Sequence, residues 1–164
     1  MSEALHPAPP WQVSQWFNAP GPVGLDSLRG RVVVLEAFQM LCPGCVSHGL
    51  PQAMRVRDAF PEDRVAVVGL HTVFEHHAAM TPVALEAFLH EYRIAFPVGV
   101  DEAGDGPIPR TMQAYAMQGT PTLVLIDANG MRRGQHFGQI SDLALGARIA
   151  TLLVEGGETA PVPA

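Results

Sequence analysis

Cysteine is scarce in this chain. Among 164 residues only Cys42 and Cys45 carry a thiol. That scarcity argues against a structural zinc centre, which needs two more soft ligands, and no second Cys-x-x-Cys pair exists to supply them. Long apolar runs are also missing. No stretch approaches the ~18–20 residues of a membrane span. Positive charge is in deficit, with a net charge of -6, which argues against nucleic acid or an anionic membrane surface as partner. Residues 1–10 have neither a basic n-region nor an apolar h-region, so the expected address is the cytoplasm, or the periplasm for a chain already trimmed of a leader. Internal repeats and low-complexity core segments are absent.

What is present suits a folded protein. A hydrophobic fraction of 48% and a charged fraction of 16% are those of a globular chain rather than a disordered one. The length suffices for one domain with a sizeable core. Residues 1–10, rich in Pro and Ala, are expected to form a flexible tail. Residues 156–164 are expected to form a disordered tail. The domain between them spans 11–155.

The two cysteines stand as Cys42-Pro43-Gly44-Cys45. Such a pair is either half a metal site or a redox dithiol, and the local context decides. Residues 31–38 read as a buried strand, and a helical pattern begins at Pro43. At a helix start the first amide groups lack partners and the macrodipole is positive. Cys42 would cap that helix, and Pro43 suits the first helical position, where its missing N–H costs nothing. The junction therefore favours an exposed Cys42 thiolate, the attacking species in disulfide exchange. Cys45 lies one turn further in, more buried, and placed to resolve a mixed disulfide formed by Cys42. In the cytoplasm such a dithiol is kept largely reduced unless it cycles with a substrate.

The rest of the chain alternates. A short strand is expected within 11–17 and a loop over 18–24. The helix from Pro43 runs to about residue 59, with Pro51 kinking it. A second buried strand lies in 64–72, apolar throughout and suited to a central position. Thr81 caps a helix that starts at Pro82 and presents Leu85, Phe88 and Leu89 inward. Residues 96–100 read as a short strand and 110–117 as a short helix. A third buried strand, 122–126, meets a turn at 127–130 whose Asn129-Gly130 is a hairpin signal. An antiparallel strand returns over 131–138, and a helix from Asp142 to about 155 closes the domain. This order predicts an α/β fold, a mixed sheet with helices on both faces.

These residues carry a resemblance. The chain resembles the thioredoxin-like fold, in the TlpA/ResA-like branch of thiol–disulfide oxidoreductases, over roughly residues 25–153. The matching stretches are LRGRVVVLEAF before the cysteines, VAVVGLHT in the second strand, FLHEYRIAFPVGVD, and AYAMQGTPTLVLIDANG. The resemblance implies a central mixed β-sheet flanked by helices and a cis bond between Thr120 and Pro121 beside the cysteines. It also implies that the Thr120 backbone pairs with an extended substrate segment. Leu41, Pro43 and Gly44 would join that substrate-contacting surface. It further implies that Glu36, six residues before Cys42, is a buried acid serving Cys45, with a raised pKa suited to proton exchange near neutrality. Partners would be a protein or small molecule bearing a disulfide or thiol, and a recycling reductase or small thiol. No organic cofactor is implied, because the electrons travel on sulfur.

The chain departs from that pattern in three places. Leu41 stands where the family usually has Trp, the dipeptide between the cysteines is Pro-Gly rather than Gly-Pro, and Pro51 falls one residue later than the usual kink proline. Two rival activities follow from the residues. A peroxiredoxin-like thiol peroxidase needs Thr or Ser three residues before the attacking cysteine, where Gln39 stands. A non-enzymatic Cu(I)-binding protein would use both cysteines and a histidine, and His71, His76 and His77 raise that possibility. A surface role is expected for His48.

Overall fold

A computed structural model describes residues 5–157. Seven strands form one sheet: β1 (His6–Pro7), β2 (Val13–Phe17), β3 (Val32–Phe38), β4 (Val65–His71), β5 (Val98–Asp101), β6 (Thr122–Ile126) and β7 (Met131–Phe137). Their order across the sheet is β1-β7-β6-β3-β4-β5-β2. β3, β4 and β5 run parallel, and every other pairing is antiparallel. All seven residues of β3 and of β4 are buried. Their unbroken apolar runs suit strands covered on both faces.

Alternation along β3 sorts its side chains. Val32, Val34 and Phe38 enter one core, together with Leu50, Ala53 and Val56 of α1 (Leu50–Ala59), Leu85 and Leu89 of α2 (Pro82–Glu91), and Leu145, Ile149 and Leu152 of α4 (Asp142–Gly156). Val33, Leu35 and Ala37 enter the other, under Met112 of the short α3 (Arg110–Ala114), Tyr115 and the 3-10 turn Leu25–Leu28. Helices therefore cover both faces unequally, with the three long ones on the side that Glu36 shares with Val34 and Phe38.

Local signals place the element ends. The Thr81 hydroxyl accepts from Ala84 N–H at 3.2 Å and starts α2 at Pro82. Ser141 does the same for α4 through Ala144 N–H. Gly130 takes φ +80 in the β6–β7 turn, a conformation that favours glycine.

The expected flexible tail over 1–10 needs correction within the described residues. His6 and Pro7 pair with Arg132 and Met131, and Ala8 N–H donates to Gly130 C=O at 2.9 Å. The Tyr115 hydroxyl donates to Pro9 C=O at 2.7 Å and accepts from Trp11 Nε1 at 3.1 Å. These bonds satisfy backbone groups that a loose tail would leave to water. Residues 1–4 and 158–164, the remainder of the two expected tails, lie outside the described residues.

The helix expected from Pro43 is also not regular. Residues 45–49 form a π-turn, Cys45–Gly49, in which Leu50 N–H donates to Cys45 C=O, five residues back. A proline cannot donate, and its ring clashes with the carbonyl four residues earlier in a regular helix. The widened turn just before Pro51 absorbs the extra residue noted in the sequence.

Candidate active site

The parallel strands β3 and β4 end together at Phe38 and His71, which are paired in register. Three residues carry the chain from Phe38 to the cysteines. Gln39 and Met40 are buried, whereas Leu41 is 57% exposed. Gln39 C=O accepts from Cys42 N–H at 3.2 Å and turns the chain into the helix.

Cys42 then occupies the capping position, with the helix beginning at Pro43. Cys45 N–H donates to Cys42 Sγ at 3.3 Å, the bond an N-cap side chain makes to the third helical residue. The Cys42 thiol reaches Thr120 C=O at 3.5 Å. Both cysteines are free thiols; Cys42 is half-buried and Cys45 is buried. Burial pushes the Cys45 thiol above its ordinary value, and its hydrogen bond with Cys42 adds to this. Hydrogen bonds from the Gln39 backbone and Thr120 pull the other way.

Thr120 and Pro121 immediately precede β6, which runs antiparallel to β3, and the bond between them is cis. Pro121 is buried against the helix start. A Cβ on Gly44 would stand 3.3 Å from Pro121 Cδ. Glu36 lies in β3 between Gly69 of β4 and Leu123 of β6. It is 1% exposed, and its Oε1 has no hydrogen-bond partner. Burial first, and then the nearby Cys42, raises its carboxyl well above the ordinary value. The structure thus gathers Glu36, Cys42, Cys45, Gly44, Thr120 and Pro121 at one end of the sheet, with Leu41 and Pro43 exposed beside them.

Two residues belong to this site that sequence reasoning did not select. Gly49 packs its backbone on Glu36 and Pro121: a Cβ there would collide with Glu36 Oε1 and stand 3.0 Å from Pro121 Cβ. Its signal was available, because a glycine inside a helix weakens it by about 1 kcal/mol relative to Ala and so asks for a packing reason. Gln39 is the other. Its Oε1 accepts from Phe74 N–H at 3.1 Å, which ties the segment before Cys42 to the loop after β4. The signal was an amide within an apolar run.

The histidines do not assemble. His71 is buried, while His76 and His77 are exposed, and His77 Nε2 meets Pro107 C=O at 3.2 Å. His48 Nε2 meets Ile140 C=O at 3.1 Å. Among the described residues no three His, Cys, Asp or Glu side chains converge in a way that could hold a metal ion.

Two buried groups give opposite limbs to the pH dependence of stability. Burial lowers His71 from 6.5 to about 4. Between those values the unfolded chain takes up a proton that the folded chain refuses. Stability is therefore lost as pH falls through this window, by about 3 kcal/mol in all. Glu36 acts the other way. Its unfolded carboxyl ionises above 4.5 while the folded one stays protonated, so stability is lost as pH rises past that point, until the raised value is reached. Urea midpoints between about pH 4 and 8 should show His71→Gln flattening the acid limb and Glu36→Gln flattening the other. Unchanged slopes in both variants would contradict these assignments.

Comparison with known proteins agrees with this geometry. A family model described as AhpC/TSA matches residues 5–133. A solved thioredoxin-like superfamily protein superposes with a TM-score of 0.91 and 65% identity, covering 96% of this chain and 100% of that one. A thiol-disulfide isomerase from Corynebacterium glutamicum superposes with a TM-score of 0.85 and 48% identity, covering 89% of this chain and 96% of that one. A thiol-disulfide oxidoreductase, ResA, from Bacillus thuringiensis subsp. konkukian is 25% identical over 66% of this chain and 56% of its own length. The chain spans as little as 18% of other curated relatives.

Proposed function

The chain belongs to the AhpC/TSA family, and from that premise we propose that it is a thiol–disulfide oxidoreductase that exchanges its Cys42–Cys45 dithiol with a protein or small molecule bearing a disulfide or thiol. One observation carries the reading. A half-exposed sulfur caps a helix start and accepts from the backbone N–H of a second, buried cysteine one turn inside.

The chemistry follows from that arrangement. The Cys42 thiolate attacks one sulfur of a substrate disulfide, forms a mixed disulfide and expels the other sulfur as a thiolate. The Cys45 sulfur, having lost its proton, then attacks Cys42 Sγ. The substrate leaves as its second thiolate and a Cys42–Cys45 disulfide forms. One substrate disulfide is reduced to two thiols and the protein loses two electrons; the reverse sequence oxidises a dithiol. A recycling reductase or small thiol resets the pair.

Cys45 needs help with its proton, because burial holds the thiol neutral. Glu36 supplies it. A buried carboxyl of raised proton affinity matches a thiol more closely than an exposed one does, and in its ionised form it accepts a proton. It takes the Cys45 proton during resolution and returns it in the reverse direction. Thr120 and Pro121 form the wall beside the sulfurs, and the Thr120 backbone offers strand-like pairing to an extended substrate. Leu41, Pro43 and Gly44 complete the contact surface. The peroxidase alternative lacks support at Gln39, which has no hydroxyl and whose amide oxygen is committed to Phe74.

The test is redox equilibration against glutathione or dithiothreitol, read by thiol labelling and mass. Both thiols should be lost together, reversibly, at one potential and within one chain. Thiols that stay reduced across the range, or that pair only between chains, would overturn the proposal.

A further inference from the structure

We propose that His71 is a positioning residue for the dithiol: its ring nitrogen holds the Met40 amide and so fixes Gln39, whose carbonyl accepts from Cys42 N–H at the start of the cysteine turn. The inference rests on the oxidoreductase reading.

The β3–β4 ladder stops at the Phe38–His71 pair. Beyond it the chain stays buried for two more residues, and its amides need other partners. His71 answers with its side chain. Nε2 accepts from Met40 N–H at 3.3 Å, so the ring carries its proton on Nδ1. The ring is 1% exposed and lies 5.2 Å, centroid to centroid, from Phe38. Two neighbours act alongside it. Thr72 N–H donates to Phe38 C=O at 3.1 Å, and Phe74 N–H donates to Gln39 Oε1 at 3.1 Å. Residues 71–74 thus grip residues 38–40 through three bonds.

What is gripped matters to the chemistry. Gln39 C=O receives Cys42 N–H at 3.2 Å, and Cys42 Sγ in turn receives Cys45 N–H at 3.3 Å, so the place of Gln39 sets how the two cysteines stand relative to each other. A slip at Met40 would shift Cys42 Sγ relative to Cys45, which must reach it to resolve the mixed disulfide, while the half-exposed Cys42 could still meet an incoming disulfide. An acceptor is needed in its unprotonated form, and burial keeps the imidazole neutral down to about pH 4. The bond therefore persists throughout the neutral range.

The test separates the two chemical steps. Reduced protein reacts with 5,5′-dithiobis(2-nitrobenzoate) in two releases of the coloured thiolate, one for attack by Cys42 and one for resolution by Cys45. His71→Asn keeps a polar side chain but sets its acceptor short of Met40, whereas His71→Gln carries an amide oxygen to the place of Nε2. In His71→Asn the second release should slow about tenfold while the first stays within about twofold; His71→Gln should restore both, as expected for loss and recovery of one buried hydrogen bond. Equal rates in His71→Asn and the unmodified protein overturn the proposal, as does failure of His71→Gln to rescue. Should His71→Asn not fold, the unmodified protein still decides. A 15N–15N coupling across the hydrogen bond should join Met40 N to His71 Nε2, and a ring protonated on Nε2 overturns the assignment. An unmodified protein that shows no two-step release sinks the oxidoreductase reading and this inference together.

Discussion

Replacing Cys42 with serine should abolish disulfide exchange, whereas replacing Cys45 with serine should leave the first step intact and arrest the protein as a covalent mixed disulfide. The asymmetry follows from exposure. Cys42 is the sulfur a substrate can reach, and Cys45 is sealed behind it. A serine hydroxyl does not open a disulfide, so turnover of a protein disulfide in dithiothreitol should fall by on the order of a thousandfold or more in the Cys42 variant. Mass spectrometry of the Cys45 variant after incubation with substrate should show one substrate chain attached through Cys42. Native turnover in the Cys42→Ser protein would remove that residue from the attacking role.

The second large effect is expected at Gly49. A glycine with φ -60 inside a helix should accept alanine, and on helix propensity alone the change would stabilise by about 1 kcal/mol. Packing reverses the sign. The new methyl would press on the Glu36 carboxyl and on Pro121, both buried, the first within β3 and the second just before β6. Overpacking of that kind destabilises by about 2 kcal/mol, measurable as a lowered urea midpoint with an unchanged slope. Adding Glu36→Ala should recover part of the loss, a non-additivity expected only of groups in contact. A stabilised Gly49→Ala protein would show that the π-turn can back away from β3.

Much of this was legible in the residues because the signals were local. The unbroken apolar runs around Val34 and Val67 announced buried parallel strands. Thr81-Pro82 and Asn129-Gly130 marked a helix start and a turn, and the strand–cysteine–helix junction stood in one short stretch. The features that escaped depend on distant parts of the chain. His6–Pro7 becomes a strand only because β7 lies beside it and Tyr115 reaches Pro9. His71 reads as a possible metal ligand in sequence, since His76 and His77 follow it closely; β4 buries the first and leaves the others outside. Glu36 stood between these classes: the apolar run around it suggested burial, but only the packing of Gly49 and the cysteine turn against it shows what encloses it.

The π-turn has one more consequence. A regular helix advances by about 100° per residue, so a single inserted residue would rotate everything after it by that angle. Here the insertion is taken up between Cys45 and Leu50. The cysteine turn can therefore keep its own winding while Cys45 still faces the same hydrophobic core as the stripe of Leu50, Ala53 and Val56. Selection can retune the dipeptide and its surroundings at one end without disturbing the grip of the other on the sheet.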